Sequence, residues 1–244
     1  MRRFRHEPLL YALAFLLALS VRLAGLGSAP LSDDEARWAL QALGVAQGAH
    51  PLLGSQTAYV LLTSVLFYGL GAGTNFLARL APALAGSGLA LAPALFARRL
   101  KPRPAVILAF LLALEPGLVG LSRQAGGGML AVSFALLAWG LWENRRAAWA
   151  GIFAGLALLS GPLLWPGLLG LGITWLISRS FSARRPADSG QPFSPAPGAW
   201  RTALWSGAGT LVLAGTLFFL VPGGLGAWAA SLPDYFSGWV SPTG

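Results

Sequence analysis

The chain has 244 residues, of which 55% are hydrophobic and only 10% are Asp, Glu, Lys or Arg, against about 25% charged in an ordinary soluble domain. Mean hydropathy is +0.64, and seventeen basic side chains face eight acidic ones for a net charge of +9. This composition excludes a disordered chain and a soluble globule clothed in charge. The absence of cysteine and the presence of only two histidines exclude disulfide scaffolds, thiol chemistry, Cys-ligated clusters and multi-His metal centres.

An all-α integral membrane protein is the expectation. After Arg2, Arg3, Arg5, His6 and Glu7, an apolar run occupies residues 9–27. At about 19 residues it exceeds the ~7–15-residue core of a secretory signal. It reads as an uncleaved spanning helix, long enough for a ~30 Å hydrocarbon layer at about 1.5 Å per residue.

Thirteen of the seventeen cations fall in four clusters. These are Arg2, Arg3, Arg5; Arg98, Arg99, Lys101, Arg103; Arg145, Arg146; and Arg179, Arg184, Arg185, Arg201. The positive-inside rule puts all four clusters on the cytoplasmic face, so an even number of crossings must separate consecutive clusters. Parity demotes the most polar stretch, residues 56–72, to an external juxtamembrane helix. Spans are then expected at residues 9–27, 76–97, 105–121, 129–142, 147–160, 163–178 and 203–221, with residues 28–75 forming an external loop that carries juxtamembrane helices. A single tilted helix over residues 147–178 is the rival to the fifth and sixth. The Pro/Ser/Arg-rich stretch 179–202 reads as a flexible loop, and residues 222–244 are expected outside. The expected protein is a multi-pass component of the plasma membrane with seven spans and a cytoplasmic N-terminus.

The remaining cations, Arg22, Arg37, Arg79 and Arg123, collect near the external face with Asp33, Asp34, Glu35 and Asp234, and Glu115 lies about two turns below it. Ionisable groups in or beside a bilayer are costly and tend to mark function, although arginine also snorkels to the interface. The segment Ser32-Asp33-Asp34-Glu35-Ala36-Arg37-Trp38 opens a helix. Ser32 or Asp33 suits its N-cap, acids suit its first turn, and Trp38 suits the interface. An interfacial helix with an acidic start is one reading. The other is a carboxylate held where a polar substrate meets the lipid surface, either to deprotonate an acceptor hydroxyl or to hold a divalent cation.

Asp34-Glu35-Ala36-Arg37-Trp38-Ala39 resembles the first external loop of GT-C membrane glycosyltransferases. The match is nearest to the protein O-mannosyltransferase and aminoarabinose-transferase branch. His50-Pro51 with Tyr59, Ala78-Arg79-Leu80 with Pro82-Ala83-Leu84, and Leu121-Ser122-Arg123-Gln124-Ala125 are similar to further blocks of that branch, in the same order. The resemblance implies transfer of a sugar from a polyprenyl-phosphate donor to an acceptor on the non-cytoplasmic face. It makes Asp34 the catalytic base or metal-associated acid, with Glu35 beside it and a divalent cation, Mg or Mn, as possible cofactor. Asp33, Arg37, His50, Arg79 and Arg123 become substrate-binding candidates, the arginines because their fork donates two bonds to phosphate oxygens.

Two departures stand out. Gly126 and Gly128 occupy positions where the family has an arginine and an acid. Seven spans also match the family's N-terminal module alone, so a membrane-protein partner completing the site is a second expectation, with this chain as a non-catalytic subunit that binds the lipid carrier. The triglycine Gly126-Gly127-Gly128 reads as a flexible turn or as an anion-binding nest. A small transporter is a third reading, motivated by Glu115-Pro116 and by the Gly161-Pro162 break. The basic residues are split among loops that face lipid headgroups, so the net charge does not point to nucleic acid.

Overall fold

The structure, a computed structural model, describes residues 7–96, 99–162, 164–182 and 197–240. Every regular element among them is helical: α1 (Glu7–Leu23), α2 (Asp33–Ala46), α3 (Thr57–Leu70), α4 (Asn75–Gly88), a 3-10 turn (Leu89–Leu91), α5 (Ala92–Leu95), α6 (Pro102–Leu114), α7 (Pro116–Ser122), α8 (Gly128–Glu143), α9 (Ala147–Leu159), α10 (Leu164–Ser182), α11 (Ala199–Gly215) and α12 (Gly223–Val240).

Local chemistry sets the boundaries. Ser32 accepts from the Glu35 amide while the Glu35 carboxylate accepts from the Ser32 amide, a complete capping box at the start of α2. Thr74 caps α4 through the Leu77 amide. Gly71, with φ 65°, terminates α3 in the left-handed region that favours glycine. Pro116 cannot donate to the preceding turn, so the helix breaks at Glu115, whose side chain caps α7 by accepting from the Leu118 amide. The axis bends there by 53°.

The core forms around α3, which buries Thr57, Ala58, Tyr59, Val60, Thr63, Ser64 and Phe67 and packs against α2, α4, α9, α11 and α12. On one side α1 packs against α4, the 3-10 turn and α6; on the other, α9 lies between α8 and α11. Small residues set the α9–α11 approach. A Cβ on Gly151 would stand 2.1 Å from the Ala203 carbonyl oxygen, and one on Gly155 would stand 2.9 Å from that of Gly207. This is the close backbone contact that small-xxx-small spacing allows.

The all-helical expectation is met, but the seven crossings are not. Among the described residues one helical stretch, Asn75–Leu95 (21 residues), is long and apolar enough to cross a membrane, and the bent pair α6–α7 makes a second if it is counted as one span. The other expected spans contain helices at nearly the expected positions, but apart from α10 (19 residues) they are short. α9 has 13 residues, about 20 Å of helix against a ~30 Å hydrocarbon layer. α8 has 16 and α11 has 17. Ser160-Gly161-Pro162 ends α9, with Gly161 at φ 118°. α11 stops before three successive residues of positive φ, Leu217, Phe218 and Phe219. Apolar content alone overstates span length, because helix stops subdivide the runs. The multi-pass location is therefore unsupported. What holds is that one or two helices have the length and composition to cross.

Three further differences bear on the sequence reading. Residues 223–240 form α12, where no helix was expected. Arg22 does not snorkel: it is 0% exposed and donates to the carbonyls of Ala18, Leu112 and Ala113. Glu115 is exposed and engaged as a helix cap, which removes the buried acid from the transporter reading. Arg2, Arg3, Arg5, Arg98, Arg184, Arg185, most of the 179–202 loop and the side chains of Arg179 and Asp234 lie outside the described residues.

Candidate functional site

The cap of α2 faces the start of α8 across a cleft of about 360 Å³. Ser32, Asp34, Glu35 and Trp38 line it from α2, Gln56 from the start of α3, and residues 124–128 from the loop into α8. The sequence brought Asp34, Glu35 and the Ser-Arg-Gln-Ala block to notice separately. The fold sets them on opposite walls of one cavity.

Glu35 forms the floor of this arrangement. Arg79 Nε donates to its Oε1 at 3.0 Å and Nη2 to its Oε2 at 2.8 Å. The Ser32 amide donates to Oε2 at 3.0 Å and the Ala125 amide to Oε1 at 2.6 Å. Arg79 completes its shell on the carbonyls of Leu26, Ala29 and Pro30. All five guanidinium donors are thereby used. The pair is secluded, with side chains 8% and 12% exposed. Burial alone raises the Glu35 carboxyl, but the Arg79 guanidinium and the Ser32 and Ala125 amides outweigh it and hold the pKa at about 2, below the ordinary 4.5. Tyr59 supports the same corner from α3 by donating to the Ala78 carbonyl at 2.9 Å. Glu35 and Arg79 thus fasten four segments: the loop after α1, the start of α2, α4 and the loop before α8.

Asp34 is exposed and lines the cleft. The neighbouring carboxylate is spent on structure, so Asp34 is the acidic side chain on this wall left available to a ligand. Gln124 is exposed beside it. Gln56 Oε1 is committed to the Gly127 amide at 2.7 Å. Trp38 lines the cleft, with the six-membered ring of its indole against Gly54, where a Cβ would come within 2.3 Å of the ring.

The triglycine is neither a loose turn nor a freely open nest. Gly127 has an ordinary φ of −80°, but a Cβ there would stand 1.8 Å from the Ser160 carbonyl oxygen, so glycine is required by the approach of the α9 terminus. The Gly127 amide already has its partner in Gln56.

The other sequence candidates fall outside this centre. Asp33, Arg37 and His50 are exposed and do not line the cleft. Arg123 Nη1 donates to the carbonyls of Val21 and Ala24 at 3.0 and 2.7 Å, closing the end of α1. Of the residues expected to bind substrate, Arg79 and Arg123 are thus engaged by backbone. Sequence reasoning missed Gln56 as a lining residue, because its polarity had served only to demote the stretch it opens. Among the described residues no group of three or more His, Asp or Glu side chains converges as a metal site.

Against known protein families, curated proteins and solved structures, the chain shows no match.

Proposed function

We propose that this chain is a glycosyltransferase of the GT-C type, or the N-terminal module of one, that transfers a sugar from a polyprenyl-phosphate donor at the α2–α8 cleft. The observation that carries the reading is the division between adjacent acids: Glu35 is locked under Arg79, while Asp34 faces the cleft. An exposed carboxylate beside an indole and a carboxamide is a sugar-handling set. The ring face of Trp38 suits the C–H face of a pyranose, and Gln124 suits its hydroxyls.

In this reading Asp34 accepts the proton of the acceptor hydroxyl as that oxygen attacks the anomeric carbon. The bond from the anomeric carbon to the phosphate oxygen breaks, and the electron pair leaves with polyprenyl phosphate. Arg79 and Glu35 are positioning residues, because their bonds hold both walls of the cleft and leave no donor for the phosphate. Removing a general base costs on the order of 10²–10⁴ in rate. Asp34→Asn is therefore expected to lower sugar release from a polyprenyl-phosphate donor by about that factor, and unchanged turnover would remove the mechanism.

A second reading is a non-catalytic subunit that binds the lipid carrier and works with a membrane-protein partner. It is favoured by Gly128, which lines the cleft where the resembling family carries an acid. Donor binding without release, together with co-purification of a second membrane protein, would select it.

A further inference from the structure

A second cavity lies at the far end of the α4–α5 stretch. This groove, of about 290 Å³, is walled by Phe96, Leu108, Leu112, Leu136 and Trp139, with Arg99 at its edge. Phe96 and Trp139 meet edge to face with ring centres 5.1 Å apart. Trp139 is 49% exposed, and Ile107 and Leu111 on the adjoining face of α6 are 60% and 62% exposed.

Charge gathers around this apolar wall. Arg99 and Lys101 stand on the link into α6, Arg103 in its first turn, and Arg145 and Arg146 on the turn after α8. The two segments meet: Asn144 donates to the Leu95 carbonyl at 2.7 Å, and Arg99 pairs with Glu143 at 2.7 Å while remaining 57% exposed. Arg99 lines the apolar slot, and four further cations and one carboxylate lie on the segments that meet beside it. The slot sits where the candidate spanning stretch Asn75–Leu95 ends and the bent pair α6–α7 begins. If either crosses a membrane, this is the level of the headgroups.

We propose that this groove binds an anionic phospholipid, with one acyl chain against Phe96, Leu108 and Trp139 and the phosphate against Arg99 and Lys101. Charge complementarity selects the occupant. A zwitterionic lipid or a peptide strand would satisfy the apolar wall without using the cations, whereas an anionic headgroup above an acyl chain uses both. The site lies at the opposite end of α4–α5 from Glu35 and Arg79, and it stands whether or not the α2–α8 cleft transfers sugar.

Native mass spectrometry of the detergent-purified protein with phosphatidylglycerol and phosphatidylcholine tests the proposal. A cation near an anionic surface contributes roughly fivefold. Phosphatidylglycerol is therefore expected to be retained about tenfold or more over phosphatidylcholine, and Arg99→Gln with Lys101→Gln should abolish that preference. Leu108→Trp, which fills the slot, should lower retention with the cations intact. Glu143→Gln, which frees Arg99, should raise retention of phosphatidylglycerol and leave phosphatidylcholine unchanged, whereas misfolding would raise both. Equal retention of the two lipids, a preference that survives the double substitution, or retention indifferent to Leu108→Trp would overturn the proposal.

Discussion

Asp34 and Glu35 share the first turn of α2 but differ in what surrounds them. Glu35 receives four hydrogen bonds from three segments, and Asp34 is left to the cleft. Glu35→Gln would leave the secluded Arg79 guanidinium uncompensated, and removing one partner of a buried pair costs about 3 kcal/mol or more. Denaturant unfolding should show that loss, with Asp34→Asn within about 0.5 kcal/mol of the parent, as for an exposed substitution. The same bonds make stability pH-dependent. The folded carboxyl titrates at about 2 against an ordinary 4.5, so its contribution is complete above the ordinary value and is lost as pH falls toward the folded one. The unfolding midpoint of the parent should therefore drop across that acidic window, and Glu35→Gln should flatten the drop. The acid triplet and Arg79 were legible in the sequence as a charged set. Their division into a strut and a free group was not, because Arg79 lies 44 positions from Glu35 and nothing local announces the pairing.

At the level of elements, helix positions were largely legible and helix lengths were not. Apolar runs placed α4, α6, α8 and α9, and the Ser32/Asp33 cap with its apolar stripe placed α2, near their observed positions, but the span expected over residues 105–121 runs through the Glu115-Pro116 break. Long apolar composition masked the breaks that shorten the helices. Glycine also serves packing in a way composition hides. Gly127 sits against the Ser160 carbonyl, and Gly151 and Gly155 sit against α11. Gly151→Leu should separate α9 from α11, and Gly127→Ala should push α8 from the end of α9. Each should destabilise by about 1–3 kcal/mol or more, as overpacking does. Thermal unfolding would reveal this, and a Gly127→Ala protein with unaltered stability would contradict the close approach.

For the whole molecule, the cleft and the basic groove lie at opposite ends of one helical stretch. Arg79, beneath the cleft, and Phe96, in the groove, are separated by α4, the 3-10 turn and α5, roughly 25 Å along a helix axis. If Asn75–Leu95 crosses a membrane, the two sites face opposite compartments. The chain contains no cysteine, so each introduced cysteine is the sole reactive thiol. A membrane-impermeant thiol reagent applied to one side should label Asp33→Cys and Gln124→Cys together and spare Lys101→Cys, and labelling of all three from one side would contradict the arrangement. The positive-inside pattern pointed to this sidedness from sequence alone. It did not give the number of crossings, because parity assumes that every long apolar run can span.

The account rests most heavily on the claim that, of three consecutive acids, Asp34 alone does chemistry. The direct test is the rate of sugar release from a polyprenyl-phosphate donor, expressed per folded molecule, for Asp33→Asn, Asp34→Asn and Glu35→Gln side by side. The account predicts a fall on the order of 10²–10⁴ for Asp34→Asn, a near-parental rate for Asp33→Asn, and a loss for Glu35→Gln that follows its folded fraction. Parental turnover by Asp34→Asn, or an equal collapse in Asp33→Asn, would contradict it.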